Sequence, residues 1–129
     1  MNQAVEGKAY PPVRYEVTTE AVRAFAAAVG EDPDRVPPTF LTVPEMTALA
    51  QVVADPDLGI DFSRVVHGEQ AYEWRRPVLP GDVLSAAPRI ERIRSRGGHA
   101  FLTVETEIRD RAGEVVALAR CTLIERGTG

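Results

Sequence analysis

Residues Pro37 to Ala54 read PPTFLTVPEMTALAQVVA, and Glu45 is the only charged residue among them. The chain as a whole is 26% charged, so the stretch stands apart. A helix apolar on nearly every side belongs inside a protein. This one is too short, and too interrupted by proline, to span a membrane. It therefore reads as a helix wrapped by the rest of the chain. Where it begins is open. Pro44 suits the first helical position, which makes Phe40 to Val43 an extended lead-in. Alternatively the helix starts near Thr39, and Pro44 costs it one backbone hydrogen bond and bends it. In either case it stops at Asp55-Pro56, because the residue before a proline avoids the helical region.

Upstream, Met1 to Pro12 reads as an arm. Val13-Arg14-Tyr15-Glu16-Val17 alternates apolar and polar, the pattern of a short half-buried strand. Thr18 and Thr19 offer an N-cap, and Glu20 places negative charge in the first turn of a helix. Val22, Phe25, Ala26 and Val29 follow at helical spacing, and Gly30 ends the helix. One face of this helix is expected to lie on the core. Glu31 to Val36 is a short acidic loop that runs straight into Pro37.

Downstream, Leu58 to Ser63 is a loop, and then the signal turns to strands. In Val65 to Val78, Tyr72 and Trp74 share one face, with Glu73 and Arg75 on the other. Leu79-Pro80-Gly81-Asp82 is a turn. Val83 to Arg94 breaks its apolar parity, which predicts a bulge near Pro88. Ser95 to Gly98 turns again. Ala100, Leu102, Val104 and Ile108 alternate with Thr103, Glu105 and Glu107. After Asp110 to Gly113, Val115 to Ile124 is apolar on both faces, as a central strand is. Short turns between successive strands predict an antiparallel meander of four.

The 129 residues make one domain by size, spanning 1–129, and suffice to bury a core. Hydrophobic content of 44% is ordinary for a globular protein. A net charge of −4 argues against a duplex nucleic-acid binder. Arg89, Arg92, Arg94 and Arg96 form a local basic cluster. Its plainer reading is a solvated strand and turn, which is preferred. The sharper one is a patch for the phosphates of coenzyme A or acyl carrier protein. Cys121 is the only cysteine, so no internal disulfide is possible, which suits a reducing compartment. MNQAVEGKAYPP carries no signal-peptide pattern, so the expectation is a soluble cytoplasmic protein without a membrane segment.

A sheet must bury one face, and the apolar helix needs a cover. Both needs are met by an α+β domain in which a curved antiparallel sheet wraps the helix, the hot-dog fold. One such sheet leaves an edge strand, so a dimer or heterodimer is expected. Val66-His67-Gly68-Glu69-Gln70, then Tyr72, Arg76-Pro77-Val78 and Pro80-Gly81-Asp82, resemble the strand signature of MaoC-like dehydratases. Pro37-Pro38-Thr39-Phe40 resembles the lead-in to the central helix in the N-terminal-domain type of that family. Tyr15 to Gly30 resembles its first strand and helix. Within the family the chain looks most like the non-catalytic, acyl-chain-binding subunit of actinobacterial (3R)-hydroxyacyl-ACP dehydratases.

The resemblance implies lyase chemistry in fatty acid metabolism: hydration or dehydration of a 3-hydroxyacyl thioester. Active members use an aspartate and a histidine just before the central helix, in a motif resembling Gly-Asp-x-Asn-Pro-x-His. That chemistry needs an acid and a base near the substrate and backbone N–H groups for the thioester carbonyl. Here the matching stretch, Gly30-Glu31-Asp32-Pro33-Asp34-Arg35-Val36, has two aspartates and no histidine, and reaches Pro37 abruptly. It reads as a deletion through the catalytic loop, so no catalytic residue is assigned. The expected substrate-binding set is Pro38, Thr39, Phe40, Leu41, Met46 and His67, with Phe40, Leu41 and Met46 lining an acyl channel. The implied ligand is an acyl-CoA or acyl-ACP thioester. The implied partner is a second hot-dog chain, as a homodimer or as a heterodimer with a catalytic MaoC-like subunit.

Three side readings accompany this one. His67 is read as hydrogen-bonded structure rather than a replacement base. Glu45 is read as helix-start electrostatics at the second helical position. Its sharper alternative is a thioesterase base with a raised pKa, which gives a self-sufficient hot-dog enzyme, dehydratase or acyl-CoA thioesterase. A further alternative is a non-enzymatic homodimer that binds an acyl or polyketide ligand. Tyr72, Trp74 and Phe101 are expected in the core, and Asp82 in a turn. Two histidines and one cysteine give no zinc pattern, and no cofactor is expected.

Overall fold

A computed structural model describes residues 1–127. Strand β1 (Val13–Glu16) leads into helix α1 (Thr19–Val29). The Thr18 side chain accepts from the Ala21 N–H, and Gly30 ends α1 at φ 75°, a conformation that favours glycine. Val22 and Ala26 face the core, as their spacing predicts.

A 3-10 turn (Pro38–Leu41) passes directly into helix α2 (Thr42–Val53). Neither predicted helix start is right: Pro44 stands third in α2. That place costs nothing, because first-turn N–H groups have no partner inside a helix.

Four long strands follow: β2 (Val65–Trp74), β3 (Val83–Arg96), β4 (His99–Arg109) and β5 (Val115–Glu125). The five strands form one antiparallel sheet in the order β1-β3-β4-β5-β2. The sheet curves around α2 in the hot-dog arrangement, and β5 is an internal strand, paired on both sides, with β4 at the centre. The predicted meander of four shrinks to three, β3 to β5. Leu79 to Asp82 is a turn but not a hairpin, because β2 pairs with β5 at the far edge. Arg76 bonds both Asp82 (2.9 Å) and Asp110 (3.3 Å), and Val78 is buried, so the segment after β2 is drawn across the end of the sheet.

The bulge in β3 falls between Ile90 and Arg92, not at Pro88. β1 ends its pairing at Val13 with Ala86, and the N-terminal arm takes over at Ala9 with Arg89. The N–H of Ile90 points to the arm, bonding Lys8 O (2.9 Å). Two residues earlier, Pro88 also faces the arm, its O accepting the Tyr10 N–H (3.0 Å), so the proline sits in the pairing without a bulge of its own.

The core forms two clusters along α2. One gathers Val17, Val22, Phe40, Leu41, Ala48, Leu84 and Ile108; the other gathers Leu49, Val52, Leu58, Ile90, Leu102 and Leu123. Tyr72 packs against the first. Trp74 and Phe101 depart from expectation. Trp74 ends an edge strand and is 37% exposed, while Phe101 takes the outer parity of β4 and is half-buried. Among the described residues no helix is long and apolar enough to cross a membrane.

Candidate functional site

The loop before α2 has little free chemistry. Asp32 accepts the Asp34 N–H (2.9 Å), and Asp34 pairs with Arg23 (3.1 Å) on the surface. Pro37 and Pro38 bring no N–H to the helix approach, and the Phe40 N–H bonds Pro37 O (2.9 Å). The 3-10 turn covers the N-terminus of α2. Beside it lies a hollow of about 450 Å³ lined by Val36, Pro37, Pro38, Trp74, Pro77 and Val78, with Arg75 and Arg76 at its rim. Arg76 is committed to Asp82 and Asp110, and Arg75 to Glu73 (3.3 Å). The hollow is therefore apolar in character.

A separate wall, reached by the hollow only at Trp74, is the inner face of β2. A bulge between His67 and Glu69 shifts its register, so that His67 faces Leu123, Gln70 faces Cys121 and Tyr72 faces Ala119. All three partners are buried, so His67, Gln70 and Tyr72 share the inward face. Gly68 makes this possible: a Cβ there lies 2.7 Å from Ile124 Cδ1 and 3.4 Å from Thr122 O. A side chain at that position must displace the Ile124 side chain.

Under this wall sits Glu45, fully buried. Gln70 Nε2 donates to both its oxygens (2.9 and 2.8 Å), and Tyr72 Oη donates to Oε1 (3.0 Å). Tyr72 Oη also lies 2.7 Å from Thr42 Oγ1. With the tyrosine proton given to Glu45, the threonine hydroxyl donates to the tyrosine. Burial raises the Glu45 pKa, opposed by the bonds from Gln70 and Tyr72 and by nearby His67. Burial also lifts the Tyr72 hydroxyl far above its ordinary range, and it lifts Cys121 to about 12, helped by Glu45. The thiol is thus inert, although His67 Nε2 stands 3.6 Å from it. Gln70 Oε1 is buried without a partner, the cost of turning the amide toward the carboxylate. Glu45 stands fourth in α2, not second, and its carboxylate ties the helix to β2 rather than facing the helix start. Among the described residues no group of three or more metal-binding side chains gathers.

Comparison with known proteins settles the family. Residues 4–119 match the family described as "FAS1-like, dehydratase domain region". The chain belongs to the FAS1-like dehydratase family. A UPF0336 protein of Saccharopolyspora erythraea is 39% identical over 145 residues, covering 99% of this chain and 93% of that one. One from Streptomyces avermitilis is 41% identical over 143 residues, covering 98% and 95%. Among solved structures, the HadBC (3R-hydroxyacyl-ACP dehydratase) complex from Mycobacterium tuberculosis matches with a TM-score of 0.82 at 26% identity, covering 93% of this chain and 96% of that one. A MaoC-like dehydratase matches with a TM-score of 0.85 at 26% identity; the match covers 98% of this chain and 43% of that longer one. The Saccharopolyspora alignment spans 145 positions against 129 here, so this FAS1-like chain lacks at least 145 − 129 = 16 of them.

Within this member of the family the sequence-predicted site residues do not all meet. Pro38 lines the hollow, and Thr39 is exposed beside it. Phe40 and Leu41 are fully buried in the core beneath, Phe40 lying edge-on to Phe25 at 5.6 Å. Met46 is half-buried and packs on the second cluster. His67 is exposed on the edge strand, its Nε2 3.1 Å from Glu69 O. Trp74, Val36 and Val78 line the hollow and were not foreseen as site residues. Their signal was modest: an aromatic residue ending a strand before Arg-Arg-Pro, opposite the paired prolines 37 and 38.

Proposed function

We propose that the chain is the acyl-binding subunit of a (3R)-hydroxyacyl-thioester dehydratase or hydratase, and that a catalytic hot-dog partner supplies the aspartate and histidine. The observation that carries this reading is the approach to α2. It has no histidine, its aspartates are bound in surface contacts, and prolines replace two N–H donors where a thioester carbonyl needs them. The fold and the family favour thioester chemistry, while this site has no acid–base pair of its own. The apolar hollow beside Trp74 and Pro38 receives the acyl thioester, with Thr39 beside it and Phe40 and Leu41 in the core beneath; Met46 and His67 are not among its lining residues. β2 is ten residues long with one edge unpaired, and Val66 on it is 41% exposed. An edge of that length favours pairing with a second hot-dog sheet, of the same chain or a partner. The similarity to a chain of the HadBC complex supports such pairing.

The test is hydration of a crotonyl thioester by the purified chain, alone and mixed with a hot-dog chain that bears the aspartate and histidine. Activity is expected only in the mixture. Robust turnover by the lone chain, abolished in His67→Ala, overturns the assignment.

Glu45 favours a second reading, a thioesterase, because it is a buried carboxylate with a raised pKa facing the inner side of β2. Against it, both oxygens are already occupied by Gln70 and Tyr72. Thiol release from an acyl-CoA by the lone chain, lost in Glu45→Gln, decides for this alternative.

A further inference from the structure

The outer face of the sheet divides into two halves of different character. Toward the Asp110–Gly113 turn its arginines have carboxylate partners. Arg120 bonds Glu91 (2.8 Å) and Glu105 (3.1 Å), Arg89 approaches Glu105 (3.9 Å), and Arg109 pairs with Glu107. Toward the Gly97-Gly98 turn, Arg92, Arg94 and Arg96 are exposed and make no ion pair among the described residues. Their cross-strand neighbours on β4 are Thr103, Phe101 and His99. Phe101 in turn faces Ile124, which faces Val66. One row across four strands therefore reads Arg94, Phe101, Ile124, Val66. Phe101 and Ile124 are half-buried, and Val66 is exposed.

The spacing of this patch fits a particular shape. Neighbouring strands lie about 4.8 Å apart, so the three apolar residues span about 10 Å, the width of one helix. Alternate residues along β3 recur every ~6.7 Å, and residues four apart on a helix recur every ~6 Å. A helix laid over the apolar row and parallel to β3, with a carboxylate at every fourth position on its side toward β3, brings one carboxylate to each arginine. Its apolar side then covers Phe101, Ile124 and Val66. Guanidinium–carboxylate pairs are strong and directional, and the apolar row gains by being covered.

We propose that this face docks an acidic amphipathic helix of a partner protein, with carboxylates recurring every fourth residue against Arg92, Arg94 and Arg96. The proposal goes beyond the acyl-thioester reading and does not depend on it. Val66 and Trp74 lie at opposite ends of β2, so the patch is remote from the hollow. Because the chain carries a net charge of −4, an acidic helix is repelled elsewhere and directed here.

The test uses a labelled helical peptide with glutamate at every fourth position and leucine on the adjoining side, followed by fluorescence anisotropy. The control is a scrambled peptide of the same composition. The ordered peptide is expected to bind in preference to the scrambled one, and more weakly as salt rises. The triple charge reversal Arg92→Glu, Arg94→Glu, Arg96→Glu is expected to lose about tenfold or more in affinity. Phe101→Ser weakens binding without removing the salt dependence. Arg94→Gln gives a milder variant should the triple reversal unfold, with thermal melts as the check. Equal binding of the scrambled peptide, undiminished binding by the charge variants, or no binding overturns the proposal. So does equal competition by short single-stranded DNA, which marks a general anion surface. Self-association of the chain that Arg94→Gln dissolves assigns the patch to a second copy and also overturns it.

Discussion

Helix α2 has a carboxylate near each end, and the two are set in opposite directions. Glu45 takes its bonds from Gln70 and Tyr72; Asp55 takes its bonds from Lys8 (2.6 Å) and Tyr10 (2.7 Å). Each therefore meets one tyrosine hydroxyl; burial at Glu45 and the charge of the second donor at Asp55 make the difference. An amide leaves the desolvated Glu45 above its ordinary value. The Lys8 ammonium, together with Tyr10, holds Asp55 down at about 2. Hydrogen bonds alone do not decide the direction; the donor's charge and access to water do. The structural lesson follows. The end of α2 is fastened to the N-terminal arm by charge. Its start is held by neutral contacts to an edge strand, beside an open hollow. Function is proposed at the end of the helix that is less firmly closed.

The contrast breaks most severely at Phe40, just ahead of α2. Phe40→Ala empties a fully buried site and is expected to cost about 3–5 kcal/mol, read as a lower denaturant midpoint at unchanged slope. Glu45→Ala comes next, at about 1–3 kcal/mol, because Gln70 and Tyr72 keep buried donors with nothing to accept them. Glu45→Gln keeps the shape and isolates the charge. The folded pKa of Glu45 lies above 4.5, so its contribution is whole below 4.5 and is lost as pH rises through the folded value. The stability of the wild type relative to Glu45→Gln should therefore fall from acidic to neutral pH. Asp55→Asn should show the smallest change and the opposite sign. The folded pKa of Asp55 is about 2 against an ordinary 3.8, so its contribution is present above 3.8 and is lost as pH falls toward 2. Denaturation curves of the three proteins across this pH range measure both trends. Parallel trends at the two ends would erase the distinction.

What was legible in the sequence was local. A charge-poor run at 37–54 marked the buried helix, Thr18 and Gly30 bounded α1, and alternation marked β4. Strand pairing was not legible. The Leu79–Asp82 turn reads like a hairpin, and only the hold of Asp82 and Asp110 on Arg76 sends the chain across the sheet. The site shows the same limit. Glu45 stood out as a lone charge, but its partners lie 25 and 27 residues on. A bulge at Gly68, whose need for glycine comes from Ile124 on another strand, aligns His67 with them on one face. The missing histidine before α2 was plain from the sequence. The hollow lined by Trp74 was not, because two segments far apart in the chain build it.

The placement of β2 beside β5 also sets an order in time. β3, β4 and β5 are joined by tight turns and close only small loops as they pair. β2 must wait for β5 to be made, since Gln70 faces Cys121 across the whole meander. Large loops close late and at greater entropic cost. The strand that carries His67, Gln70 and Tyr72 thus joins the sheet after the meander has formed. Bonded on one edge only, it opens more readily than a strand bonded on both, so its amides should exchange with solvent ahead of those of β4.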